Sequence, residues 1–302
     1  MKIGIVGMGW VGSSVAVSTL HSGLPTELLL ADVQDGLAEG EAMDLAHGAA
    51  FYSAAQVRAA EVAEMREADA VVISAGRGGG TNESRLDLLR DNARIVGGIA
   101  EQLRGARGII IVVTNPVDVM THVALEASGL PPSRVIGSGT MLDTARLRQV
   151  LGRELQLEPR SIHAQVVGEH GDSEVVLWSG ARVGGAPLSV WPGWSTDREE
   201  AVALEVRRAA YEIIRRKGAT NHAIGLVTAA LLRWTLRGER RVLTVSRLQE
   251  GACGLQEVVI SLPAVLSVDG ATEVIEPAMT DRERAGLRHS AEVLRKAKAE
   301  LG

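Results

Sequence analysis

Lys2-Ile3-Gly4-Ile5-Val6-Gly7-Met8-Gly9-Trp10-Val11-Gly12 is the stretch on which the fold turns. Residues 2–6 carry no charge after Lys2 and read as a buried parallel strand. Gly7, Gly9 and Gly12 follow at the spacing that lets a backbone approach a pyrophosphate, and a helical pattern then runs to about Leu20. A second strand, 27–32, ends in Asp32, about 20 residues beyond the glycines, as a dinucleotide-binding βαβ unit requires. The Asp32 carboxylate would accept hydrogen bonds from the adenosine ribose hydroxyls and repel a 2′-phosphate, which favours NAD over NADP. Met8, Trp10 and Val11 fall inside the same fingerprint and are cofactor-binding candidates with the three glycines.

Outward from this unit the α/β alternation continues. A helix is expected over 35–47, a strand over 70–75, a helix over 84–103 and a strand over 108–113. Strands alternating with helices imply an α/β fold with a Rossmann doubly wound parallel sheet, whose ligand crevice lies at the carboxyl ends of the strands. Gly76 and the run Val113-Thr114-Asn115-Pro116-Val117-Asp118 begin there, so Gly76, Val113, Thr114 and Asn115 are further cofactor candidates. Four glycines in positions 76–80 suit the loop 76–85 to closing over a ligand, although a surface turn reads the same way.

The character changes near residue 140. A helix is expected over 141–155, strands over 161–167 and 174–179, helices over 197–217 and 219–237, strands over 241–247 and 256–268, and a closing helix over 281–300. We therefore divide the chain into a nucleotide-binding domain, 1–140, and an α+β catalytic domain, 141–302. A net charge of -5 gives no support to nucleic-acid binding. No apolar run reaches the roughly 18–20 residues that span a bilayer, and the single cysteine, Cys253, rules out an internal disulfide. A cytoplasmic protein without membrane contact or a metal site is expected.

The candidate chemistry lies in Val167-Gly168-Glu169-His170-Gly171-Asp172-Ser173, where glycines leave an imidazole open to a ligand. The chain has seven histidines, and a lone histidine is more often structural. Upstream, Asp143 and Arg146 share one face of the 141–155 helix. An ordinary intrahelical ion pair explains that spacing. The functional reading instead lets Asp143 hold His170 while Arg146 clamps a substrate carboxylate through a bidentate fork. Arg148, about 200° around the helix from Arg146, must serve another surface.

Taken together, Gly7-x-Gly9-x-x-Gly12, Asp32, Glu83-Ser84-Arg85, Thr114-Asn115-Pro116-Val117-Asp118, Asp143-x-x-Arg146 and Gly168-Glu169-His170-Gly171-Asp172-Ser173 occur in an order and spacing that resembles the NAD-dependent lactate/malate dehydrogenase family. The likeness runs essentially from end to end. It implies that His170 exchanges a proton with a substrate hydroxyl or carbonyl, with Asp143 fixing its tautomer and stabilising the imidazolium. It implies further that Arg146 binds the C1 carboxylate, Arg85 arrives with the loop to polarise the carbonyl, and Asn115 orients substrate and nicotinamide ribose.

The resemblance leaves the substrate open. Six residues before the loop arginine, lactate enzymes usually carry Gln and malate enzymes Arg; this chain has Gly79. A second substrate carboxylate would need a cation, and Arg77 is the candidate. Lys217-Gly218-Ala219-Thr220 resembles bacterial lactate dehydrogenases, which puts Thr220 beside the substrate methyl and Ile224 against the nicotinamide; Thr220 could equally cap the helix that starts there. Arg148 and His163 match in spacing the pair that binds fructose 1,6-bisphosphate between subunits in those enzymes, which implies an effector site and a homotetramer, with a dimer as the alternative. Lactate/pyruvate is the favoured pair, ahead of malate/oxaloacetate and of a broader 2-hydroxy acid. A short-chain dehydrogenase would need Tyr-x-x-x-Lys, but Tyr52 and Tyr211 are followed four residues on by Gln56 and Arg215. A non-catalytic NAD-binding protein would have little use for Arg85, Asp143, Arg146 and His170 together.

Overall fold

Residues 1–78 and 84–301 are described in the computed structural model of the chain. The apolar run after Lys2 forms β1 (Lys2–Val6), and the glycine turn leads into α1 (Trp10–His21). Then come β2 (Glu27–Ala31), α2 (Leu37–His47), β3 (Gln56–Ala59), β4 (Ala70–Ile73), α3 (Arg85–Gln102), β5 (Ile109–Val112), α4 (Val117–Ser128) and β6 (Val135–Gly137). These strands are parallel, in the order β3-β2-β1-β4-β5-β6. The order reverses between β1 and β4, so the crevice of a doubly wound sheet opens beyond their carboxyl ends. The expected fold class is present.

The second half contains α5 (Met141–Leu155), β7 (Ile162–His163), β8 (Val166–Val167), β9 (Val175–Val176), β10 (Arg182–Val183), β11 (Ala186–Pro187), α6 (Thr196–Lys217), α7 (His222–Leu236), β12 (Val242–Glu250), β13 (Gln256–Ser267), β14 (Gly270–Val274) and α8 (Asp281–Ala299). The single expected strand over 161–167 is in fact two. β7 joins β10 and β11, whereas β8 pairs with β9. The strands expected over 241–247 and 256–268 do not form a sheet of their own. As β12 and β13, followed by β14, they extend the parallel sheet with antiparallel strands to nine in all. The junction is the pairing of Ser246 with Gly137, where a Cβ on the glycine would lie 2.4 Å from Thr121 Oγ1 and 3.0 Å from Ser246 Cβ. Glycine is what allows the two halves to meet there.

The core follows the pleat. Ile109 and Ile111 of β5 face one apolar layer with Ile3, Ile5, Leu28 and Leu231, while Ile110 and Val112 face the other with Val96, Ile260 and Leu287. A third cluster, including Leu147, Leu151 and Ile162, fastens α5 to the small sheets. Among the described residues no helix is long and apolar enough to cross a membrane.

Candidate active site

The cofactor end of the crevice is built from close backbone approaches. Gly7 has φ +96°, and a Cβ there would lie 2.4 Å from the Ala75 nitrogen; a Cβ on Gly12 would lie 1.8 Å from the Gly7 carbonyl oxygen. Gly9, by contrast, has nothing within 4 Å of its Cβ position and is the N-cap of α1. That helix start has no side-chain cap and no acid in its first turn, so its N–H groups and positive dipole end remain free for an anion. These features fit a dinucleotide pyrophosphate. Asp32 directly follows β2, with Oδ2 accepting from the Met8 N–H at 2.6 Å and Oδ1 from the Gln34 N–H at 2.9 Å, which aims a carboxylate at the same turn. Met8 buries its side chain in the core, leaving its backbone for the turn, while Trp10 is largely exposed and Val11 half-buried.

The loops after β4 and β5 are tied together by Asn92, a buried α3 residue that the sequence reading missed. Its Oδ1 accepts from the Arg77 N–H at 2.7 Å, and its Nδ2 donates to the Asn115 carbonyl at 3.0 Å. A Cβ on Gly76 would lie 2.6 Å from the Thr114 methyl, and the Thr114 hydroxyl donates to the Ala75 carbonyl at 2.7 Å. Val113 is buried beneath this layer, and the Asn115–Pro116 peptide is cis, with Asn115 exposed at the crevice. The Arg77 guanidinium pairs with Asp91 of α3. Gly79 and Glu83 lie outside the described residues. Arg85 is exposed as the first residue of α3, where Ser84 caps the helix by accepting from the Asp87 N–H at 3.0 Å.

At the other side of the crevice α5 presents Asp143, which is 2% exposed. Its spacing to Arg146 does give an intrahelical ion pair, and the expected contact with His170 is present beside it. One carboxylate oxygen accepts from Arg146 Nη1 at 2.8 Å, while the other lies 2.5 Å from His170 Nδ1. An ionised carboxylate only accepts, so Nδ1 carries the proton and the far nitrogen, Nε2, is left for exchange. Burial pushes the imidazole pKa down, but the Asp143 charge and hydrogen bond, with help from Asp118, override it and lift His170 to about 9. Burial pushes Asp143 up, yet its histidine and arginine partners hold it below the usual carboxylate range. The His170 side chain is 24% exposed, which leaves it accessible to a small molecule.

Local backbone chemistry sets the histidine in place. Gly168, with φ +93°, exchanges backbone hydrogen bonds of 2.9 and 3.1 Å with Ser261 of β13. The His170 N–H donates to Asp118 of α4 at 2.8 Å. The sequence reading quoted Asp118 only as part of the Asn-Pro run and gave it no part in the site. Glu174 was missed altogether: its carboxyl is buried close to this cluster, and burial, reinforced by Asp143, pushes it up to about 8. Tyr211 of α6 donates to Asp172 at 3.0 Å, a bond that raises its phenol while nearby Arg85 opposes the rise.

The remaining candidates flank this centre. α7 lies tightly on α1, since a Cβ on Gly225 would be 2.7 Å from the Ser14 carbonyl oxygen. Ile224 packs into the apolar layer that holds Met8 and Val113. Thr220 is half-buried in the turn before α7, whose N-cap is Asn221; the capping role considered for Thr220 is thereby corrected. Arg148 leaves the centre, as its helical angle requires. Its Nε donates at 3.1 Å to the carbonyl of Ala164, next to His163, which is exposed on β7.

Comparison with known proteins gives a consistent picture. Residues 1–137 match the family model described as lactate/malate dehydrogenase, NAD binding domain, and residues 140–301 match the lactate/malate dehydrogenase, alpha/beta C-terminal domain. An L-lactate dehydrogenase of Gloeobacter violaceus is 46% identical over 98% of this chain and 92% of its own. One from Thermus aquaticus is 42% identical over the full length of both. Among solved structures, the ligand-bound minor L-lactate dehydrogenase of Enterococcus mundtii superposes with a TM-score of 0.97 at 37% identity, covering 100% of this chain and 98% of that one.

Proposed function

Because the chain belongs to the lactate/malate dehydrogenase family, an NAD-dependent oxidoreductase family acting on small 2-hydroxy and 2-oxo acids, we propose that it interconverts L-lactate and pyruvate. The observation that carries the reading is the pairing of one buried carboxylate, Asp143, with both His170 and Arg146. In the reductive direction Nε2 of the protonated His170 gives its proton to the substrate oxygen, and Asp143 holds the ring in the tautomer that makes this possible. Arg146 takes the C1 carboxylate. Arg85 is brought in with its loop to stabilise negative charge on the reacting oxygen. Asn115 orients the substrate, and Thr220 lies against its methyl group.

The free N–H groups at the start of α1, the glycines of the turn, Gly76, Val113, Thr114, Asp32 and Ile224 would hold NAD, which when bound supplies hydride exchange at the substrate's C2. Pyruvate is favoured over oxaloacetate because a second carboxylate requires a cation, and the Arg77 guanidinium is engaged by Asp91. The relatives named above, described as L-lactate dehydrogenases, support the same substrate. We assign Arg148 and His163 to a fructose 1,6-bisphosphate site between subunits of a homotetramer, place the enzyme in the cytoplasm, and keep 1–140 and 141–302 as its domains. The reading is tested with His170→Ala. The variant should bind NADH as the parent does and lose pyruvate turnover; unchanged turnover would refute it.

A further inference from the structure

Asp118 is 2% exposed, lies at the start of α4 and is engaged on both carboxylate oxygens. Oδ2 accepts from the His170 N–H at 2.8 Å, and Oδ1 accepts from the Ser246 hydroxyl. The Ser246 hydroxyl is 3.1 Å from that of Ser261, which in turn accepts from the Thr140 N–H at 3.1 Å. Since Ser246 spends its proton on Asp118, Ser261 must donate to Ser246. The donors therefore run one way, from Thr140 through Ser261 and Ser246, and they end on a group that only accepts. Thr140 is the N-cap of α5, the helix that carries Asp143 and Arg146. These bonds thus join the two halves of the site through two strands, β12 and β13, and two helices, α4 and α5, that are distant in sequence.

We propose that Asp118 is a positioning residue for His170: its carboxylate holds the backbone of the histidine loop in register with α5 and supplies a second negative charge that favours the protonated imidazole. The other groups facing His170 do not supply that charge. Asp143 divides its own between His170 and Arg146, and the Arg146 cation opposes protonation. Glu169 is bound to Ser173 and acts on Asp118. Burial, reinforced by Asp143, pushes Glu174 up to about 8, with His170 and the Arg207 cation of α6 opposing the rise, so below that pH its carboxyl is largely protonated. Asp118, pushed up by burial to only about 6 because Ser246 and the His170 N–H oppose the shift, is ionised where reduction takes place.

This inference rests on His170 as the proton donor, and the experiment separates the two. The alkaline limb of kcat/KM for pyruvate reduction is measured at saturating NADH in the parent and in Asp118→Asn. The amide keeps an acceptor for the His170 N–H, and its NH2 group donates to the Ser246 oxygen once that hydroxyl turns away, so both contacts survive, the second with its direction reversed, and the charge is lost. The midpoint should fall by about one pH unit, with NADH affinity retained. An unmoved midpoint, whatever happens to Tm, would make Asp118 merely structural and overturn the proposal. A parent with no alkaline limb would instead defeat the reading of His170. Should Asp118→Asn fail to fold, Asp118→Ser, which also removes the charge, takes its place. Its midpoint should fall in the same direction, and an unmoved midpoint would overturn the proposal.

Discussion

At the scale of the residue, one carboxylate, Asp143, sets the charge state and the tautomer of one imidazole, His170. With His170 lifted to about 9, pyruvate reduction at saturating NADH should hold below that pH and fall as pH rises through it, because the reaction consumes the imidazolium proton. Lactate oxidation, on the role proposed for His170, needs the neutral ring and should rise over the same interval. A pH profile in both directions checks this, and parallel rather than opposed limbs would contradict it. The folding linkage has the same sign: the pair's stabilisation is complete below about 6.5 and is lost as pH climbs through about 9. His170, Asp143 and Arg146 were legible in the sequence because glycine spacing and helical spacing are local signals. Asp118, Asn92 and Glu174 were not. Their roles depend on which distant backbone group or buried charge they meet, as Asp118 meets His170 across 52 positions.

At the scale of the element, the strands and helices with a clear period were legible to within a few residues, β1, α1 and β5 among them. α4 was not anticipated, because Val117 to Met120, Thr121 and His122 are all buried and a helix covered on most sides shows no amphipathic stripe. β3 and β14 are short and partly exposed, which weakens their alternation. The split of 161–167 into β7 and β8 depends on pairing partners that no local window contains. The tight α1 turn makes a direct prediction. Gly12→Ala should destabilise the protein by about 1–3 kcal/mol and weaken NADH binding, since its Cβ would meet the Gly7 carbonyl oxygen at 1.8 Å. Gly98→Ala on α3, with open space around its Cβ, should be neutral or stabilising by about 0.5–1 kcal/mol. Thermal melts and NADH fluorescence titrations of the two variants provide the check, and equal behaviour would contradict the role given to the turn.

At the scale of the molecule, α1, α2, the turn that follows α2, and α7 leave apolar side chains in solvent. Trp10 is 61%, Met43 62%, Phe51 84% and Leu226 66% exposed, and Trp10, Val17 and Leu226 line a common cavity of about 860 Å³. Such a surface is costly on a monomer, and the homotetramer proposed above would cover it. Sedimentation should therefore give a species of four chains, and Leu226→Glu should shift it to smaller ones; a monomeric parent would contradict the assembly. The continuity of the nine-stranded sheet across the two halves became visible only in the pairing of Ser246 with Gly137.

The central claim joins all three scales: a histidine held by a carboxylate, on a nucleotide-binding fold, with, among the described residues, no cation committed to a second substrate carboxylate. It is tested most directly by NADH oxidation with pyruvate and with oxaloacetate, side by side, at matched concentrations and saturating cofactor. The account predicts that pyruvate is preferred by at least about tenfold in kcat/KM. A preference for oxaloacetate would contradict it, and would mean that Arg77 leaves Asp91 to meet a second carboxylate.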